Sequence, residues 1–91
     1  MKAFIIGPIS RANRIEDVAR YYIKCGYHEV RYVHSQPNKS LEDLINEAYN
    51  NIQWADEVIV VRKEDGSLGN GTLYEYVYAK RINKIITILP D

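Results

Sequence analysis

Four short apolar runs alternate with three amphipathic segments along the chain, and this alternation constrains the fold more than any other feature. The runs are short and rich in β-branched residues, which is typical of buried strands, whereas the segments between them repeat apolar residues at helical spacing. Alternating strands and helices form a parallel sheet covered on both faces. The predicted strands are residues 3–6, 30–33, 58–61 and 85–89.

Three helices are predicted between these strands. The first starts at a capping box of Asn13 and Glu16 and stops at Gly26, and the second starts at a similar pair, Ser40 and Asp43. A polar loop over residues 35–39 precedes the second helix, and the third runs from about residue 73 to 82. The apolar stripe of the second helix, expected to face the core, is Leu41, Leu44, Ile45, Ala48 and Ile52.

Right-handed crossovers between these elements predict a small doubly wound (Rossmann/flavodoxin-like) sheet of four parallel strands in the order 2-1-3-4. In such folds ligands bind outside the carboxyl ends of the strands, where the strand order reverses. The loops at that place are residues 7–12 and 62–71, and both contain glycine. We therefore expect the two loops to converge on one crevice.

Composition narrows the class of protein. The 91 residues suit one domain spanning 1–91, and Lys plus Arg equal Asp plus Glu at 12 each, so no nucleic-acid polymer is expected as a partner. No apolar run approaches membrane-spanning length and no signal peptide is visible, so no membrane partner is expected. Cys25 is the single cysteine; we interpret it as a packing residue, and a lone thiol favours a cytoplasmic location. No metal-ligand spacing and no cofactor motif is present.

The segment from Gly69 through Asn70, Gly71 and Thr72 to Glu75 allows two interpretations. Backbone N–H groups of a glycine-rich helix start approach ligands closely, and a carboxylate beside a helix N-terminus stays ionised and can attack an electrophilic carbon. Alternatively, Thr72 and Glu75 form only a capping box. Because the first loop is expected to meet this turn, we favour the ligand site, with Glu75 facing the crevice.

Basic side chains outnumber acidic ones in residues 1–40. Arg11 and Arg14 lie just after the first turn, where they could hold a phosphate or simply form a solvated helix start.

Tyrosines recur along the third helix. Tyr74, Tyr76 and Tyr78 are spaced so that successive rings project about 200° apart, which leaves more apolar surface than the sheet can cover. We interpret residues 73–82 as a contact between copies of the chain, giving a homodimer or a higher homo-oligomer. The alternative is a set of rings lying flat on the surface with solvated hydroxyls.

The segment Gly71-Thr72-Leu73-Tyr74-Glu75, with Tyr78-Ala79 and Asn83-Lys84-Ile85 after it and Ala55-Asp56-Glu57-Val58 before it, resembles the nucleoside 2-deoxyribosyltransferase superfamily. The resemblance extends over the whole chain. The first loop, Gly7-Pro8-Ile9-Ser10, is similar to the turn after the first strand in that superfamily. It is also similar to that turn in the 2′-deoxynucleoside 5′-monophosphate N-glycosidases. In addition, Ser67-Leu68-Gly69 resembles a segment of those enzymes in which a serine helps to hold the 5′-phosphate. The glycine-rich turn resembles the "lonely guy" type phosphoribohydrolases too.

All of these families cleave N-glycosidic bonds, so the resemblance implies this class of reaction. Glu75 matches the position of the family nucleophile, and the resemblance therefore implies that role for it. It implies that the substrate, a small nucleoside or nucleotide, is held by the first loop, the glycine-rich turn and a phosphate-binding group. The implied substrate-binding residues are Gly7, Pro8, Ile9, Ser10, Arg11, Arg14, Ser67, Gly69, Asn70, Gly71 and Thr72.

The sequence departs from the family pattern at three positions. Gly69 stands where many transferases have Asp, Phe4 where a tyrosine is frequent, and Ala48 where the N-glycosidases have an acidic residue. The proton donor is therefore unassigned. Glu47 and Asp56 are the nearby acidic residues on this chain, and Asp91 could reach the site of a neighbouring subunit.

Three functions follow from these patterns. The first is an N-glycosidase or deoxyribosyltransferase that uses Glu75. The second is a nucleotide-binding or sensing module that uses the same crevice without turnover. The third is an interaction role for the tyrosine-rich helix.

Overall fold

The computed structural model describes residues 1–33 and 38–90, which form a four-stranded parallel sheet with three α-helices. The elements are β1 (Lys2–Ile6), α1 (Ala12–Lys24), β2 (Glu29–Tyr32), α2 (Leu41–Trp54), β3 (Glu57–Val60), α3 (Asn70–Arg81) and β4 (Ile85–Ile88). The strand order β2-β1-β3-β4 confirms the predicted α/β architecture. Most of the loop expected over residues 35–39, and Asp91, lie outside the described residues.

The alternation of side chains along β1 divides the core between the two faces of the sheet. Ala3 and Ile5 are buried against α1, together with Ile59 of β3. Phe4 and Ile6 are buried on the opposite face, where α2 and α3 pack. One helix therefore covers the first face and two helices cover the second.

The three predicted helix starts have different outcomes. The Ser40 start is confirmed, because the Ser40 side chain accepts a hydrogen bond of 3.1 Å from the Asp43 backbone N–H. The Asn13 capping box is wrong. A 3₁₀ turn over Ile9–Arg11 runs directly into α1, so Arg11 is the N-cap residue and its side chain does not form a capping hydrogen bond.

The capping box of Thr72 and Glu75 is also wrong. The backbone carbonyl of Gly69 accepts the first bond of α3 from Leu73 N–H at 2.8 Å, so the helix begins at Asn70, three residues before the expected start. Gly69 is the N-cap, with no side-chain cap bond, and Glu75 consequently lies in the second turn of α3.

The end of α1 is as predicted at Gly26, whose φ of 98° is in the left-handed region that favours glycine. Cys25 is exposed rather than packed, because it follows the last residue of the helix and its side chain meets no core cluster. No helix over the described residues combines the length and the apolar character that crossing a membrane requires.

Candidate active site

A cleft of about 500 Å³ lies between α2 and the N-terminal half of α3. Its walls are mostly apolar, and among the described residues that line it there is one carboxyl group and no Lys, Arg or His. The lining residues are Leu41, Leu44, Ile45, Ala48, Tyr49, Asn70, Gly71, Tyr74 and Glu75.

Glu75 supplies the carboxyl group of this cleft. Its side chain is partly buried, and over the described residues no hydrogen-bond donor or cation contacts the carboxyl. Burial raises its pKa from the ordinary 4.5 to about 7. The expectation that a helix N-terminus keeps this group ionised is therefore wrong: Glu75 lies in the second turn of α3, beyond the uncapped N–H groups, and desolvation dominates.

The apolar stripe of α2 divides into two halves. Ala48 and Ile52 are buried in the core, as expected. Leu41, however, is 74% exposed and Ile45 is 42% exposed. The N-terminal half of the stripe therefore forms the wall of the cleft opposite α3, and no other described part of the chain covers it.

Tyr49 is a lining residue that the sequence reasoning missed. Its ring stacks on Tyr78 with centroids 4.3 Å apart and planes 17° apart, and Gln53 Nε2 donates to the Tyr78 hydroxyl at 2.7 Å. The stack holds the Tyr49 ring in place beside Glu75. Its position four residues after Ile45 continues the α2 stripe, so the helical spacing could have identified it.

The first loop lies next to the carboxyl end of β3 but not in the cleft. A Cβ on Gly7 would lie 3.0 Å from Val61 Cβ, so glycine is needed for this close approach. Gly7 and Ile9 line a separate depression of about 80 Å³ on the α1 side of the sheet. Pro8 accepts a bond from Arg11 N–H, and Ser10 is exposed in the 3₁₀ turn.

The two arginines lie on α1 and its N-cap, across the sheet from α2 and α3. Arg14 lines a depression of about 250 Å³ with Asp17, Tyr21 and Leu89, and Arg11 is the N-cap residue of the helix. The structure therefore does not bring either arginine together with Glu75 in one cavity.

Only two of the predicted binding residues of the glycine-rich turn, Asn70 and Gly71, line the cleft with Glu75. Thr72 is buried, and Gly69 is the N-cap, close to the aliphatic part of Lys63. The Ser67 hydroxyl donates to Asp65 at 2.6 Å, and this bond with its companion from Ser67 N–H lowers the pKa of Asp65. The serine is thus part of a local turn.

Neither acidic residue considered as a proton donor lines the cleft. Asp56 lies at the amino end of β3, where it accepts a 2.9 Å bond from the Lys2 backbone N–H, and this bond lowers its pKa. Glu47 forms an ion pair with Lys39 at 2.5 Å. The lining side chains that carry a transferable or donatable proton are Tyr49, Asn70, Tyr74 and Glu75 itself.

Compared with known protein families and with curated proteins, the chain matches no family model and no curated sequence. Among the described residues, no group of three or more His, Cys, Asp or Glu side chains is arranged to hold a metal ion.

Proposed function

We propose that this chain cleaves or transfers the N-glycosidic bond of a nucleoside or nucleotide, with Glu75 as the nucleophile. The observation that carries the proposal is a carboxyl group without a protein partner on the wall of an apolar cleft of about 500 Å³. That volume is in the range of small-molecule sites, and an apolar cleft with few polar groups suits a flat base attached to a sugar.

The reaction requires the ionised form of Glu75. A carboxylate oxygen attacks the anomeric carbon, the bond from that carbon to the base nitrogen breaks, and the electron pair leaves with the base. Water or a second base then attacks the same carbon and releases Glu75 as a carboxylate. Because burial raises the pKa of Glu75 to about 7, this ionised form becomes more populated as the pH rises through the neutral range.

The departing base needs a proton, and Tyr49 is the donor that we assign within this proposal. The water or second base that attacks the covalent intermediate loses a proton, which returns to the Tyr49 oxygen. Of the two lining tyrosines, Tyr74 is 72% exposed, whereas Tyr49 is held by its stack on Tyr78. A positioned hydroxyl loses little freedom when it binds the base, so it donates to the developing charge at lower cost.

The sugar end of the substrate is placed beside Asn70 and Gly71. The first N–H groups of α3 have no side-chain cap, so they suit a hydroxyl or a phosphate on the 5′ carbon. No basic side chain lines the cleft itself among the described residues, so a nucleoside fits as well as a nucleotide.

Base release from a panel of nucleosides and their monophosphates, measured by chromatography, tests the proposal. We expect multiple turnovers with at least one substrate and a loss of at least about 10³-fold in Glu75→Gln, since removing a nucleophile abolishes the covalent route. Asp56→Asn is the matched control, because Asp56 is an exposed carboxylate at the amino end of β3 and does not line the cleft. Equal rates in wild type and Glu75→Gln would contradict the assignment.

A binding or sensing module is the second candidate function. The observation that favours it is the absence of a second carboxyl group among the described lining residues, because glycoside hydrolysis ordinarily uses two. Calorimetry would then show a nucleoside or nucleotide bound without product. Multiple turnovers would exclude this function.

A contact between copies through residues 73–82 remains a proposal as well. Leu73 and Val77 are 45% and 41% exposed, and Tyr74 at the cleft is 72% exposed, so the outer side of α3 is apolar. A copy packed there would partly cover the entrance of the cleft. Leu73→Lys is expected to lower the mass measured by sedimentation if this contact forms.

A further inference from the structure

The strand β4 is an edge strand without charge. Its four residues are Ile85, Ile86, Thr87 and Ile88, and the helices pack mainly against the other three strands. Ile85 is 59% exposed and Ile88 is 45% exposed. An open edge of this composition readily pairs with another strand.

The opposite edge of the sheet is different. The strand β2 carries Glu29 and Arg31, which form an ion pair, and the Arg31 guanidinium lies 3.8 Å from the Trp54 ring. Charged side chains of this kind disfavour pairing at an edge. The two edges of the sheet are thus unequal, and β4 is the one suited to a partner.

Backbone geometry identifies which groups of β4 face outward. Leu89 N–H donates to the Val60 carbonyl at 3.0 Å, and in a parallel ladder alternate residues direct both backbone groups to the same neighbour. Odd-numbered residues of β4 therefore face β3. The N–H and C=O groups of Ile86 and Ile88 face the open edge.

We propose that two copies of this chain pair antiparallel through β4 about a two-fold axis, with Thr87 opposite the partner's Thr87. In this register Ile86 pairs with the partner's Ile88, and the reverse pair is its symmetry mate. The outward N–H groups of Ile86 and Ile88 in both copies then donate to the outward carbonyls of the other copy, which makes four new hydrogen bonds across the interface.

The ends of β4 limit the ladder to this register. Lys84 N–H already donates to the Ala79 carbonyl at 3.1 Å, and Pro90 has no N–H to give. Centring the pair on Ile86 instead would place Lys84 opposite the partner's Ile88. Because the Lys84 N–H is already used, the outward carbonyl of Ile88 in each copy would then have no donor. The register centred on Thr87 leaves no charged residue in the paired segment.

The side chains also match in this register. Because the two-fold axis is perpendicular to the sheet, equivalent faces of the two copies lie on the same side of the joined sheet. Ile85 then packs beside the partner's Leu89 on the α1 side, and Ile86 packs beside the partner's Ile88 on the other side. The result is one sheet of eight strands in which the exposed isoleucines are covered.

Register-specific cross-linking tests the proposal. In a Cys25→Ser background, which removes the exposed native thiol, Thr87→Cys would place two sulfurs across a non-hydrogen-bonded pair. Its Cα atoms would be about 4.5 Å apart, within the roughly 4.4–6.8 Å range of disulfides. Mild oxidation is expected to give a disulfide-linked dimer. Ile85→Cys, although more exposed, must not link, because its two copies would be about 13 Å apart.

A second measurement keeps the test valid if Thr87→Cys does not fold, since Thr87 also donates to Glu57. The full chain is expected to sediment as a dimer or a larger assembly at micromolar concentration, and Ile85→Lys to halve that mass with an unchanged circular dichroism spectrum. A monomeric wild type, equal cross-linking of the two cysteine variants, or loss of the assembly in Leu73→Lys but not in Ile85→Lys would overturn the proposal.

Discussion

Tyr49 of α2 stacks on Tyr78 of α3, with ring centroids 4.3 Å apart, and this contact joins the two helices one turn away from Glu75. Tyr49 lines the cleft together with Glu75, whereas Leu41 and Ile45, which precede it on α2, leave their apolar side chains exposed. The geometry of the cleft therefore depends on an aromatic pair.

The first prediction concerns this pair. Tyr78→Ala removes the stack and part of the packing between α2 and α3, so we expect the free energy of unfolding in urea to fall by about 2–3 kcal/mol. Tyr78→Phe is the matched control, because it keeps the ring and loses only the bond from Gln53, with an expected cost of about 0.5–1.5 kcal/mol. Equal costs for the two variants would contradict a role for the stack.

The second prediction concerns pH. Folding raises the pKa of Glu75 from 4.5 to about 7, so the folded protein holds the proton more tightly than the unfolded chain. The resulting stabilisation is complete below pH 4.5 and is lost as the pH rises through 7, with a slope of at most about 1.4 kcal/mol per pH unit. The rate of base release should change in the opposite direction, because the nucleophile is the ionised form.

Unfolding free energies of wild type and Glu75→Gln, measured at several pH values between 4 and 8, isolate this effect. As the pH rises, the free energy of unfolding of the wild type should fall relative to that of Glu75→Gln, because Gln does not titrate. A difference that is constant over this range would show that the pKa of Glu75 is not raised.

The third prediction uses two glycines. Gly7→Ala places a methyl group 3.0 Å from Val61 Cβ, and we expect the unfolding free energy to fall by about 1–3 kcal/mol because the core must shift. Gly71→Ala is the control: no atom lies within 4 Å of its added Cβ, and it lies in the first turn of α3. This variant should gain about 0.5–1 kcal/mol. Opposite signs for the pair are the result that supports the close approach of Gly7 to β3.

The fourth prediction concerns the buried carboxyl group of Glu57, at the end of β3 away from the cleft. Tyr27 donates to Glu57 Oε1 at 2.5 Å and Thr87 donates to Oε2 at 2.6 Å. Tyr27→Phe removes one of these two donors, so we expect a loss of about 1.5–3 kcal/mol in the unfolding free energy.

Tyr74→Phe is the matched control for Tyr27→Phe, because its hydroxyl is exposed and its loss should change stability by less than about 0.5 kcal/mol. The bond to Glu57 raises the pKa of Tyr27 to about 12. A spectrophotometric titration of Tyr27→Phe should therefore lack a phenol of that pKa that the wild type shows. An unchanged titration would mean that Tyr27 does not donate to Glu57.

The topology was predictable because it follows from hydrophobic periodicity and the handedness of the crossovers. The apolar runs around Phe4 and Ile59 are short and lack charges, which identifies buried parallel strands, and right-handed crossovers then give the strand order. The cap at Ser40 was predictable for a similar reason, since the side chain and the N–H that it bonds are three residues apart.

The site was harder to predict because it depends on which face of the sheet each helix covers. Arg14 and Glu75 both follow loops at the carboxyl edge of the sheet, but α1 and α3 lie on opposite faces. The start of α3 was missed because Thr72 and Glu75 match a capping box, while the Gly69 carbonyl provides an earlier start. The exposure of Leu41 was missed because an apolar stripe alone does not show which part of it another element covers.

Trapping the covalent intermediate is the most direct test of the proposed role of Glu75. The chain is mixed with a deoxynucleoside that it cleaves, quenched with acid and measured by intact-mass spectrometry. We predict a protein heavier by one deoxyribosyl group, with the adduct on the peptide that contains Glu75, and no adduct in Glu75→Gln. Base release from the wild type without any adduct on that peptide, or the same adduct in Glu75→Gln, would contradict the account.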